Sequence, residues 1–428
     1  MAEVVVVGGG PTGLAAGVAL RRGGVERVVV LEREARAGGV PRHCDHPGFG
    51  LRDLHRVTSG PRYAERLLAL ALEAGVELRE SAMATGWEAD GALAVTSPTG
   101  REHLHPAAVL LATGCRERPL PARRIPGTRP QGVLTTGALQ QLVHLEHRQI
   151  GKRSVVVGAE HVSFSAIDTL HRGGARTIAL TTELDHHQSL AAFRLGARVR
   201  YGTPVWTRTR LTAVRGRAQV EAVELEDVAT GERREVACDI VILSADWIPD
   251  HELASTRGCR LVAATRGPAV DTAGRTTVAG VWAAGNLVHP AETADVAALA
   301  GRHTGAALAA QLRGDAAGGD AAGGDAAGGD ARIKGAAVEL RAQAPLAWIA
   351  PSAVTVGEAP PRGRFLLRST AFLTLARIEV RQAGRVLWRG TLPRLTPGRS
   401  ASIPAGWTTA VAPADGPVTV LVGSGRPR

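Results

Sequence analysis

The stretch Val4 to Gly17, VVVVGGGPTGLAAG, constrains this chain more than any other. A run of valines leads into Gly8-x-Gly10-x-x-Gly13, a helical segment with Ala15, Ala16 and Gly17 follows, and a second apolar run, Val28 to Leu31, ends at Glu32. In such a strand–turn–helix unit Gly8 permits the tight turn and Gly10 lets backbone N–H groups reach a pyrophosphate. Gly13 allows the helix to lie close on the strand. Glu32 stands nineteen positions after Gly13, the reach an acidic side chain needs to accept hydrogen bonds from ribose hydroxyls. These residues predict a dinucleotide-binding unit, and by themselves they suit NAD or FAD.

Strand candidates begin at Glu3, Arg27, Val109, Ser154, Thr177, Ile240 and Val278, with helical patterns between them such as Gly60 to Ala74. This alternation predicts α/β architecture with parallel sheets. The texture changes at Gly314, where AAGGD repeats in tandem to Asp330 and reads as a flexible tether. From Val338 to Val422 short alternating runs separated by Gly and Pro predict a small β-sandwich.

The formal charge of +11 arises from arginines scattered through every segment, with Lys152 and Lys334 the lysines. With two tyrosines available for base stacking, the pattern argues against nucleic acid. No apolar stretch reaches the ~20 residues of a membrane helix and no basic leader precedes an apolar run, so a cytoplasmic protein without an integral membrane segment is expected. Cys44, Cys115, Cys238 and Cys259 form no C-x-x-C pair. Neither a disulfide framework nor a metal site is indicated, since His43, Cys44 and His46 lack a fourth ligand.

Leu110-Leu111-Ala112-Thr113-Gly114 and Gly280-Val281-Trp282-Ala283-Ala284-Gly285-Asn286 are two further strand-to-turn segments. With the first motif they resemble the flavoproteins of the pyridine-nucleotide-disulfide oxidoreductase superfamily, over Met1 to about Leu312. Segments including GGVPRHCDHPGFGL (Gly38 to Leu51), LLATGCRERP (Leu110 to Pro119) and AAGNLVHP (Ala283 to Pro290) are similar to one branch. It contains flavin subunits found with glycerol-3-phosphate dehydrogenases, hydrogen cyanide synthase and sarcosine- and opine-oxidising complexes.

The resemblance implies two Rossmann-like domains, an FAD domain with an NAD(P)-type domain inserted, plus the C-terminal all-β sandwich. The expected boundaries are 1–120 and 251–313 for the FAD domain, 121–250 for the insert, 314–334 for the linker and 335–428 for the sandwich. It implies FAD as cofactor, held by Gly8, Gly10, Pro11, Thr12, Gly13, Glu32, Arg33, Gly39, Ala112, Thr113, Gly114, Gly285 and Asn286. Asn286 replaces the family's usual aspartate and retains the capacity to hydrogen-bond a hydroxyl.

A relative of the first motif returns as SVVVGAEHVSFSAID, Ser154 to Asp168. Gly158 keeps the first glycine, Ala159 follows, and Glu160 and Ser163 occupy the second and third glycine positions. A carboxylate about 4 Å from a phosphate costs on the order of 4 kcal/mol at an effective dielectric near 20, nearly three decades of affinity. Asp246, where a second glycine turn is expected, adds another negative charge. NAD(P) binding is therefore disfavoured, with Arg172, Arg176 and Lys152 as the cations available to offset the acids.

Disulfide reductases place paired cysteines where this chain has Cys44 alone, which excludes a dithiol relay. Candidate catalytic groups are His43, Cys44, His46 and His289, with the Arg42 to Gly50 loop expected over the flavin ring. Arg52, Arg116 and Arg118 are candidates to steer an anionic substrate. The function expected is that of an FAD-dependent oxidoreductase, a flavin subunit that oxidises a small-molecule substrate or passes electrons to a partner oxidoreductase. An iron–sulfur centre, if used, belongs to another subunit. The alternatives are a self-contained NAD(P)H-dependent flavin reductase and a flavin-bound scaffold without enzymatic activity.

Overall fold

The computed structural model describes residues 3–317 and 337–423, which divide into two compact units. Among the described residues, the first comprises 3–42, 47–115, 249–317 and 337–423, and the second comprises 43–46 and 116–248. The inserted domain thus begins about five residues earlier than expected, and the His43–His46 segment packs with it.

In the first unit a parallel sheet runs in the order Val281–Ala283, Ala108–Leu111, Glu3–Val7, Arg27–Leu31, Glu77–Arg79. Val4, Val5 and Val6 are fully buried, as a β-branched run with apolar side chains packed on both faces must be. Helix α1 (Pro11–Arg22) starts with proline in its first turn and α2 (Gly60–Glu73) does likewise. Helix α1 later meets the long helix that closes the unit across a seam of small residues. A Cβ on Gly301 of that helix would stand 2.0 Å from the Thr12 carbonyl oxygen.

The second unit repeats the plan, with parallel strands in the order Val133–Thr135, Ile240–Leu243, Arg153–Val157, Arg176–Thr181, Val205–Trp206. Helix α3 (His161–Arg172) follows the Arg153–Val157 strand and buries Phe164, Ile167 and Leu170 against it. The closing helix of the first unit, α4 (Ala294–Ala317), extends past the expected start of the linker at Gly314. Beyond Ala317 the AAGGD repeats lie outside the described residues.

The C-terminal residues form two sheets, one of five strands and one of three, around a core including Leu340, Phe365, Ile378, Val380 and Trp407. The sandwich is joined to the rest of the first unit by hydrogen bonds and ion pairs. Ser352 and Ala353 N–H donate to the Val270 carbonyl (3.0 and 3.1 Å), and Thr355 donates from its hydroxyl to Asp271 (2.9 Å). Arg275 bonds both Asp271 (2.8 Å) and Glu358 of the sandwich. Among the described residues no helix is long and apolar enough to cross a membrane.

Candidate functional site

The first glycine turn has the shape of a phosphate cradle. Gly8 adopts φ +110°, and a Cβ there would lie 2.5 Å from the Ala112 carbonyl oxygen, so the turn admits glycine alone. Gly10 faces the other way: beyond its chain neighbours, nothing comes nearer to its built Cβ than Gly39 Cα at 3.9 Å. Gly10 is also the N-cap of α1 and provides no side-chain acceptor, which leaves the helix's first N–H groups and its partial positive charge for an external anion.

Glu32 is buried at the end of its strand, where its carboxylate accepts from Gly9 N–H (3.1 Å) and Glu34 N–H (2.8 Å). Burial pushes its pKa up while the two N–H groups oppose that shift. The residue therefore braces the turn as well as standing at the ribose position. The Ala112-Thr113-Gly114 turn is fixed by the Thr113 hydroxyl donating to the Asp250 carbonyl (2.7 Å) and by Asp250 N–H donating to Gly114 (3.0 Å). Exposed Arg33 lies 3.9 Å from the Asp250 carboxylate.

At the late turn a Cβ on Gly285 would collide with the Thr12 hydroxyl, and that hydroxyl donates to the Ala297 carbonyl of α4 (3.1 Å). Gly8, Gly285 and α4 are thereby drawn around the start of α1. Asn286 also has a structural task. Its amide accepts from Glu292 N–H (2.7 Å) and donates to the Glu292 carbonyl (3.2 Å), so it staples the loop that leads into α4.

The candidate catalytic groups fare unequally. Cys44 is buried, its thiol donates to Gln140 (3.3 Å), and burial with the nearby Glu117 carboxylate pushes its pKa up to about 12. Burial thus favours the protonated thiol at neutral pH and works against a nucleophilic role for Cys44. None of the four cysteines forms a disulfide. His289 is buried with its ring 5.2 Å from that of Trp348, and burial holds its pKa down to about 3, so it stays neutral and does not shuttle protons near pH 7. His43 is buried and His46 half-buried in the second unit. His303, half-buried on α4, bonds the Thr272 carbonyl (2.9 Å). Arg52 is bound to Asp295 (3.3 Å) and Arg118 to Asp246 (2.8 Å), so neither is a free cation for a substrate.

Sequence reasoning missed Glu117, which is buried in the second unit, accepts from Gly137 N–H (2.8 Å), and is pushed up to about 7 by desolvation. It also missed the hydrogen bond from buried Tyr63 to Asp53 (2.6 Å). No local pattern announces either, because each depends on burial by distant segments.

The second glycine turn closes on itself. Glu160 is the N-cap of α3 and forms a capping box: its carboxylate accepts from the Ser163 N–H, and the Ser163 hydroxyl accepts from Glu160 N–H (3.1 Å). The carboxylate also accepts from the Trp247 indole N–H (3.2 Å), and Ser163 donates to Ser244 (2.9 Å). A protein carboxylate thus occupies the helix N-terminus where a dinucleotide phosphate is bound in an open site. Asp246 is corrected on one point. Arg118 neutralises it, and Arg123 donates to the Ser244 and Ala245 carbonyls, whereas Arg172, expected as an offset, pairs with Asp168 (2.9 Å) and Asp45 (3.0 Å).

Two dinucleotide folds, an open first cradle and a late Gly-Asn turn define a two-domain dinucleotide-binding flavoprotein. The chain matches the pyridine nucleotide-disulphide oxidoreductase family over residues 2–301 and belongs to it. The family binds FAD, and this chain's relatives in it are oxidoreductases. It is similar to an opine oxidase subunit of Agrobacterium tumefaciens (strain Ach5), at 28% identity over 66% of this chain and 61% of the relative. It is also 28% identical to thioredoxin reductase of Treponema pallidum (strain Nichols), over 67% of this chain and 88% of that protein. In fold it matches T. acidophilum thioredoxin reductase with a TM-score of 0.60 at 21% identity, covering 73% of this chain and 99% of the other. The chain spans about three fifths of the length of the opine oxidase relative.

Proposed function

We propose that this chain is the FAD-carrying member of a complex that oxidises a small metabolite, or relays its electrons to a partner, without using NAD(P)H. The carrying observation is the contrast between two equivalent helix N-termini. That of α1 has no side-chain cap, while that of α3 is capped by Glu160. Bound FAD supplies the hydride-accepting chemistry. The residues of the first unit hold it: Gly8 and Gly10 shape the phosphate turn, Glu32 braces it and meets the ribose, and Thr113 and Gly285 frame the far side.

A role within a complex is supported by the similarity to the opine oxidase subunit, by the lack of a cysteine pair for a self-contained disulfide relay, and by the blocked second cradle. An iron–sulfur chain in a partner is the electron route this reading favours. A cytoplasmic setting belongs to the same proposal, supported by four unpaired thiols in a chain of this length.

Stopped-flow mixing of the flavin-loaded protein with NADH or NADPH under anaerobic conditions tests the reading. Slow bleaching whose rate rises linearly with nucleotide is expected. Fast, saturable bleaching by either nucleotide would overturn it in favour of a self-contained reductase.

A further inference from the structure

A cleft with a cavity volume of about 50 Å³ lies where the sandwich meets the tail of the flavin-binding half. One wall comes from the loop after Asn286 and from α4, the other from the sandwich. Its floor is apolar, including Ala297, Ala300 and Leu366. A pocket of that size has room for several water-sized groups, hence for a molecule of a few heavy atoms.

Three observations point to what it takes. His289 lines the cleft, is 8% exposed, and leaves its Nδ1 buried without a hydrogen-bond partner. Glu292 lines it too; its carboxylate is hydrogen-bonded to Ser400, but its buried Oε1 has no hydrogen bond and lies 4.0 Å from Arg368, and burial raises its pKa against the opposing effect of these partners. Buried polar atoms left without a hydrogen bond are costly, and a bound ligand group would recover that cost. On the opposite wall stand Arg362 and Arg364. Arg364 donates to Ser402 (2.9 Å), and Arg362 acts electrostatically on Glu292 across the cleft without forming an ion pair among the described residues. Arg362 is moreover held at φ 60°, a left-handed conformation that costs a non-glycine residue free energy and recurs at ligand clamps. The other acid of the cleft, Asp271, is already satisfied by Arg275, Thr355 and three backbone N–H groups.

We propose that this seam is a binding site for a small monocarboxylate bearing a hydrogen-bonding group beside its carboxyl, such as a 2-hydroxy acid of three carbons. The carboxylate pairs with Arg362 and Arg364, the short carbon chain lies on Ala297, Ala300 and Leu366, and the hydroxyl meets His289 Nδ1 and Glu292. The charge pattern selects against dianions, because a second negative charge would face Glu292. Gly285 and Asn286, of the late turn, also line the cleft.

Isothermal titration of the flavin-loaded full-length chain with lactate, propionate and inorganic phosphate tests this. Saturable lactate binding is expected, about tenfold weaker for propionate, which lacks the hydroxyl, and unmeasurable for phosphate. The double variant R362A/R364A should weaken lactate at least about tenfold while leaving the flavin spectrum and melting temperature unchanged. Ala300→Leu, which fills the cleft from the other wall, should abolish binding by steric exclusion. Absence of saturable lactate binding in the wild type, or equal binding by the double variant, would overturn the proposal. Lactate binding by a chain that takes up no flavin would preserve this site while ending the flavin reading, so the two fail separately.

Discussion

At the residue scale the two glycine turns differ by one carboxylate and by what surrounds it. Gly8→Ala should weaken FAD binding about a hundredfold, since its Cβ meets the Ala112 carbonyl and its φ is unfavourable for alanine; visible flavin absorbance per protein after dialysis measures this. Glu117 offers a pH test. Its ordinary pKa of 4.5 is raised to about 7 by burial, so between those values the folded chain binds more protons than the unfolded one. Stability contributed by this group therefore falls as pH rises from about 4.5 to 7 and is flat above, by on the order of 3 kcal/mol. Chemical denaturation at pH 5 and pH 8 should show that difference shrinking in Glu117→Gln, which keeps an acceptor for Gly137 N–H. Glu117 stands in plain view within LLATGCRERP, yet nothing in that string tells that distant segments bury it. The same holds for His289, whose neutrality comes from burial beside Trp348, fifty-nine positions later. Glycines with fixed spacing are legible because their role is local; shifted pKa values are not, because desolvation is tertiary.

At the element scale the helix N-termini carry the functional distinction. Glycine spacing located both turns and exposed Glu160 as an intruder, but read it as a repulsive charge only. The structure adds the capping box, which makes the same side chain a stabilising part of α3. Glu160→Gln should therefore cost about 1 kcal/mol in thermal unfolding and leave nicotinamide binding weak, because the amide still caps. Glu160→Gly combined with Ser163→Gly should restore the open geometry and raise the rate of flavin reduction by NADH about tenfold or more. An unchanged rate in that double variant would mean that something other than the cap closes the site. The late strand shows the limit of periodicity: an apolar start was read at Val278, whereas pairing begins at Val281, where Ala108–Leu111 offers partners.

At the scale of the whole molecule, the sandwich was legible as a domain, but its attachment was not. The Gly/Ala/Asp tract expected as a tether lies beyond Ala317, outside the described residues, and carries no information on where the sandwich docks. Val270, Asp271 and Arg275 hold the sandwich against the flavin-binding half, and Arg368 reaches from it to the Ala291 carbonyl and lies 4.0 Å from Glu292. Arg368→Ala should destabilise the chain by about 1–3 kcal/mol, since it removes the hydrogen bond to the Ala291 carbonyl and the nearest of several cations acting on a buried acid, and differential scanning calorimetry reads this directly. The self-capped turn of α3 has a consequence for the history of such a chain. On the reading proposed above, the residue that bars nicotinamide also steadies its own helix, so a lineage regaining that fuel would first pass through a less stable ancestor, and the switch to a foreign electron donor would act as a ratchet.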